Sequence, residues 1–202
     1  MAPVKHALPS GTSMIAVEIQ ETFFTAMKVA FFGGFIISLP VIFWQLWLFL
    51  APGLYDHEKK LVVPFVFFAT LMFLLGASFA YYIVVPVGFD FLIAFGNSVV
   101  SVLPSIGKYV GFFTKLLIGF GIAFELPVIT FFLAKIGLVN DQMLKDFFRY
   151  AVVLIFIVAA VLTPPDVISQ VLMAAPLLIL YGVSIYIAKV FNPAQKEEEE
   201  EE

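Results

Sequence analysis

KLLIGFGIAFELPVITFFLAKIG, residues 115–137, holds one carboxylate, Glu125, with nine uncharged residues before it and nine after. An apolar run of this length is enough for a helix to cross a hydrocarbon core of about 30 Å. A charge at the middle of such a run costs about 2.5–3.5 kcal/mol on insertion scales. Either Glu125 makes a structural hydrogen bond inside a bundle, or it serves chemistry, ion movement or the docking of another helix. Intramembrane acids are functional candidates by default.

The rest of the chain extends the membrane reading. Of 202 residues, 62% are hydrophobic and 13% charged, against about 25% charged in soluble domains, and the mean hydropathy is +1.04. No soluble fold of this size hides that much apolar surface, so the composition implies an all-α, polytopic integral membrane protein. Five apolar blocks, at about 22–50, 61–89, 109–134, 150–163 and 167–188, predict five transmembrane helices in one domain covering 1–202. The fourth has 16 uncharged residues from Tyr150 to Pro165, which reach only about 24 Å. Pro40, Pro86, Pro127 and Pro176 fall inside blocks. Each lacks an amide donor and kinks a helix unless neighbours compensate, so the expected bundle is kinked and concave.

Lys59, Lys60, Lys135, Lys145, Arg149, Lys189 and Lys196 make up seven of the 11 basic residues and lie on one side of the five-span topology. The positive-inside rule puts that side, with the C-terminus, in the cytoplasm. Five spans then leave the N-terminus outside. MAPVKHALPSGTS reads like an interhelical loop, without a signal-peptide pattern, and the expectation is that a further helix precedes it. Residues 191–202 form an acidic cytoplasmic tail. Without Glu197–Glu202 there are nine acids against 11 bases, a net of +2, and nothing points to nucleic acid.

Catalytic signatures are absent. There is no cysteine, and His6 and His57 are far apart with no HExxH spacing. GxSxG and P-loop patterns are missing too, so an intramembrane hydrolase is disfavoured and no metal or cofactor is implied. A proton- or ion-coupled secondary transporter using Glu125 is an alternative. It calls for further intramembrane acids along one path, and only Asp90 and Asp166, near the outer side, are on offer. Lys28 and Lys115 lie near outer helix ends and are read as snorkelling.

Two turns carry further candidates. In APGLYDHEKK, 51–60, Pro52 and Gly53 stop one helix and Asp56 caps the next. That accounts for the turn but not for Glu58, a fixed acid able to bind a basic ligand. In TPPDVISQ, 163–170, Asp166 is an N-cap, and Gln170 lies one turn on, able to hold another helix.

Taken together, SLPVIFWQLWLFLAPGLYDHEKK (38–60), FLLGASFAYYIVVP (73–86), GIAFELPV (121–128) and TPPDVISQVLMAAPLLILY (163–181) resemble the TatC family, the polytopic core subunit of the twin-arginine protein translocase. The matching segments spread over about 18–190. The resemblance implies a cup-shaped bundle of six helices with short fifth and sixth helices. It also implies that this chain begins in the first outer loop, without the family's first helix. By resemblance, Leu54, Tyr55, His57, Glu58 and Lys59 belong to the signal-peptide site, with Glu58 pairing an arginine of the twin-arginine signal. Glu125 with Pro127, and Asp166 with Gln170, match positions where single-span TatA/TatB-type partners dock. The implied function is a receptor, not an enzyme, in the bacterial inner membrane. It is a homo-oligomer within its complex, binds signal peptides of folded cargo and gathers single-span subunits for export driven by the proton motive force.

Overall fold

The computed structural model describes residues 15–50, 62–97, 105–163 and 166–192. Among them every named element is helical: α1 (Glu21–Leu50), α2 (Val62–Phe79), a π-helical turn (Ala80–Val84), α3 (Val85–Asn97), α4 (Ile106–Ala123), α5 (Glu125–Lys135), α6 (Asp141–Leu162) and α7 (Val167–Phe191). A single parallel bridge joins Ile15 to Ser105.

Among the described residues, four helical stretches are long and apolar enough to cross a membrane: Glu21–Phe49, Val63–Phe91, Ile106–Lys135 and Val167–Phe191. The exposed side chains are of the kind that belongs in lipid. Phe31, Ile37 and Phe49 are 80%, 81% and 83% exposed on α1, an arrangement water would not tolerate. The chain is therefore a multi-pass, all-α membrane bundle.

The fourth apolar block differs from its sequence reading. α6 starts at Asp141, nine residues before Tyr150. The Asn140 side chain accepts from the Met143 amide at 2.8 Å, and Lys145 pairs with Asp141 one turn on. Cap and i,i+4 pair extend the helix through a charged stretch that the sequence reads as loop. Lys145 and Arg149 thus ride on a helix, and the apolar part of α6 stays short.

The four intrahelical prolines act unequally. Pro86 would need the Tyr82 carbonyl as partner but has no N–H. The chain responds with the π-turn, where the Val85 amide reaches back to Ala80, a known relief for such a position. Pro127 leaves the Ala123 carbonyl without its amide, and α4 ends there, α5 restarting at Glu125. Pro40 and Pro176 sit inside uninterrupted helices.

α4 packs between α1 and α2, and α7 packs against α5 and α6. The core joins Leu39, Phe73, Ala77 and Ala80 to Leu116, Phe120, Ala159, Met173 and Leu177. Alanines at these crossings let backbones approach, which drives helix association where lipid supplies no hydrophobic force. The Tyr181 hydroxyl donates to the Leu144 carbonyl at 2.9 Å and ties α7 to α6.

Glu21 holds the other end of the bundle. Its carboxylate accepts from the Ser105 hydroxyl and from the Gly107 amide at 2.7 Å, capping α4 from another helix. A Cβ on Gly107 would stand 2.7 Å from Glu21 Oε1, so only glycine admits the carboxylate. Glu21→Ala leaves the first amides of α4 without this acceptor and is expected to lower the unfolding temperature in detergent. Glu21→Gln keeps one acceptor oxygen and falls less. Equal unfolding temperatures for wild type and Glu21→Ala would show that the clamp carries no stability.

Candidate partner-docking site

The surroundings of Glu125 begin with two glycines. A Cβ on Gly76 would lie 2.4 Å from the Phe120 carbonyl oxygen and 2.9 Å from Phe124 Cβ. A Cβ on Gly121 would lie 2.6 Å from the Phe73 ring. The glycines are reciprocal gaps: each helix takes the other's bulk, so α2 and α4 cross at backbone distance. Phe79 packs on Phe120 and Phe124 with ring centroids at 5.6 Å in both pairs. This crossing lies immediately before the Phe124 break, so it fixes the point from which Glu125 projects.

Glu125 is 5% exposed. It is the first residue of α5, where the orphan amides of a helix start favour an acidic group. Its Oε1 has no hydrogen-bond partner among the described residues. A buried polar atom without a partner costs about 1–3 kcal/mol. Two and three residues on, Pro127 and Val128 line a half-open apolar cavity of about 340 Å³, bounded also by Phe68 and Met72 of α2 and Ile187 of α7. The site therefore offers a hydrogen-bonding oxygen beside apolar space, suited to a helix bearing one polar side chain.

Asp166 and Gln170 occupy the far end of α7. Asp166 caps it, accepting from the Ser169 amide at 2.7 Å. Gln170 Nε2 donates to the Phe156 carbonyl at 2.9 Å, joining α7 to α6. Asp166 Oδ2 and the Ser169 hydroxyl are buried without partners among the described residues. Ser169 and Thr163 also line a cavity of about 170 Å³. Glu125 and the Asp166–Gln170 pair thus form two separate polar points.

Leu54, Tyr55, His57, Glu58 and Lys59 lie outside the described residues. The helices flanking them are anchored by Trp47, 1% exposed, whose ring meets Phe132 at 4.5 Å and Phe65 at 5.0 Å. Trp47, the Gly76–Gly121 crossing and the Glu21 clamp escape the sequence reading. Their signals were available, as glycines within apolar runs and an acid at a helix start, but their partners are remote along the chain.

Comparison with known proteins fits this architecture. The family model described as Sec-independent protein translocase protein (TatC) matches residues 1–176. The chain is 57% identical over 203 residues to the Sec-independent protein translocase protein TatC of Campylobacter jejuni subsp. jejuni serotype O:2, covering 100% of this chain and 83% of that protein. It is 54% identical over 187 residues to the protein of that name from Helicobacter pylori strain J99, covering 93% of this chain and 75% of that one. A crystal structure described as the twin-arginine translocase receptor TatC matches with a TM-score of 0.84 at 39% identity, over 94% of this chain and 83% of that one. A second, in DDM, gives 0.82 at 38% identity, over 93% and 85%. Matched over most of its length in sequence and in fold, the chain belongs to the TatC family of Sec-independent protein translocase proteins.

Proposed function

We propose that this translocase component works as the receptor and assembly platform of a twin-arginine system, in a bacterial cytoplasmic membrane with its C-terminus on the cytoplasmic side. Residues 54–59 bind the twin-arginine signal peptide of folded cargo, with Glu58 taking an arginine guanidinium in forked geometry. Single-span TatA/TatB-type helices dock at Glu125 and Pro127 and at Asp166 and Gln170. Copies of the chain associate within the complex, and the proton motive force drives export. The observation that carries the docking half is the buried Glu125 Oε1, without a partner among the described residues, two residues ahead of Pro127 at the wall of an apolar cavity.

The two halves separate by mutation. Glu58→Ala is expected to lower photocrosslinking of a twin-arginine peptide by about tenfold or more, the loss of one charge-assisted hydrogen bond. Glu125→Ala leaves that signal unchanged. Undiminished crosslinking in Glu58→Ala, or equal crosslinking of a twin-lysine peptide, would remove Glu58 from the binding site.

A further inference from the structure

We propose that the groove between α1 and α4 binds one anionic phospholipid of the leaflet at the Glu21 end, with its phosphate held by Lys28 and Lys115. The two lysines line one groove of about 730 Å³, together with Phe24, Phe31, Phe35 and Ile118. The spacing explains the convergence. Phe24, Lys28, Phe31 and Phe35 recur every three or four residues on α1, as do Lys115 and Ile118 on α4, so each set shares a helix face.

The order of chemistry along the groove selects the occupant. α1 and α4 start at the same end, where Glu21 meets Gly107. Phe24 stands at the mouth, and from there inward the two lysines precede Phe31, Phe35 and Ile118. A phospholipid has that order: phosphate outermost, acyl chain inward. Among the described residues neither lysine is in an ion pair, and no acid lies within four residues of Lys115 in either direction.

Acids do stand at the mouth, where Lys28 shares an adjoining cavity of about 580 Å³ with Glu18, Glu21 and Lys108. The Glu21 carboxylate faces Ser105 and Gly107, and the Glu18 carboxylate accepts from Gln20. Lys115, two turns below Lys108, is out of their reach. A cation at that depth is stabilised by an anion that enters from the bilayer, and the phospholipid phosphate is the anion the bilayer supplies.

The full-length chain is equilibrated with vesicles of equal phosphatidylglycerol and phosphatidylcholine, extracted in mild detergent and weighed by native mass spectrometry. Wild type is expected to retain one phosphatidylglycerol. Lys28→Gln with Lys115→Gln reduces retention about 25-fold, at about fivefold per lysine. The Lys28→Arg, Lys115→Arg pair restores it, and Lys135→Gln, at the opposite end, changes nothing. Both Lys28 and Lys115 are exposed, so the glutamine variants keep the fold, which circular dichroism verifies. Equal retention by the glutamine pair, or equal retention of phosphatidylcholine, overturns the proposal. So does a photocrosslinker at position 118 that captures an acidic single-span helix and no lipid.

Discussion

Glu125→Ala is expected to weaken crosslinking to single-span partner helices by about three- to thirtyfold, the range for one interhelical hydrogen bond in a bilayer. Export falls with it. Glu125→Gln keeps most of both, because an uncharged amide still offers a hydrogen-bonding oxygen beside the cavity lined by Pro127 and Val128. The isolated subunit moves the other way. Its Oε1 is buried without a partner among the described residues, so removing the carboxyl leaves stability unchanged or raised. The measurements are photocrosslinking from the partner's span, export of a twin-arginine reporter, and the unfolding temperature of the subunit alone. Unchanged partner crosslinks in Glu125→Ala would remove the docking role. Gln behaving like Ala would put the charge itself into the mechanism and revive a proton-carrying role.

The second large effect lies at the α2–α4 crossing. Gly76→Ala drives a methyl to 2.4 Å from a backbone oxygen, that of Phe120. No side chain can turn aside to relieve this, so α4 must move. The expected cost is about 1–3 kcal/mol, the range for overpacking, and Gly76→Leu is expected not to accumulate in folded form. Gly121→Ala meets the Phe73 ring instead, and Phe73→Leu should restore its stability. The same second change leaves Gly76→Ala impaired. Gly33 provides the control, since nothing stands within 4 Å of a Cβ there. Gly33→Ala should be neutral or stabilise by up to about 1 kcal/mol through helix propensity. Thermal unfolding in detergent reads the series. If Gly76→Ala unfolds at the same temperature as Gly33→Ala, the crossing is not as tight as its geometry implies.

The all-helical membrane fold was legible because apolar run length is a local property, and Glu125 stood out because a lone acid in such a run is local too. The family was legible in motifs such as GIAFELPV. What escaped depends on contacts between distant residues. Four prolines look alike in sequence, yet the chain breaks before Pro127, widens before Pro86 and continues through Pro40 and Pro176. Glu21 finds Ser105 across 84 residues, and no periodicity announces that. Gln170 also ties α7 to α6 through the Phe156 carbonyl, a group every residue carries and no sequence pattern marks. The early start of α6 was hidden by charge: Asp141, Lys145 and Arg149 read as loop until the cap and the ion pair give them a helical role.

α1 is fastened to the bundle at both ends and, between them, at Leu39 in the core. Glu21 fastens one end to α4, and Trp47 wedges the other between Phe65 and Phe132. Between them lie Gly33 and Gly34, consecutive residues with open space on both, the kind of pair at which helices bend. Leu39, five residues on and buried in the core, stops such a bend from spreading. The rod is held like a beam on three supports, so a guest lying against α1 can flex only the span between Glu21 and Leu39, and the Trp47 half stays put.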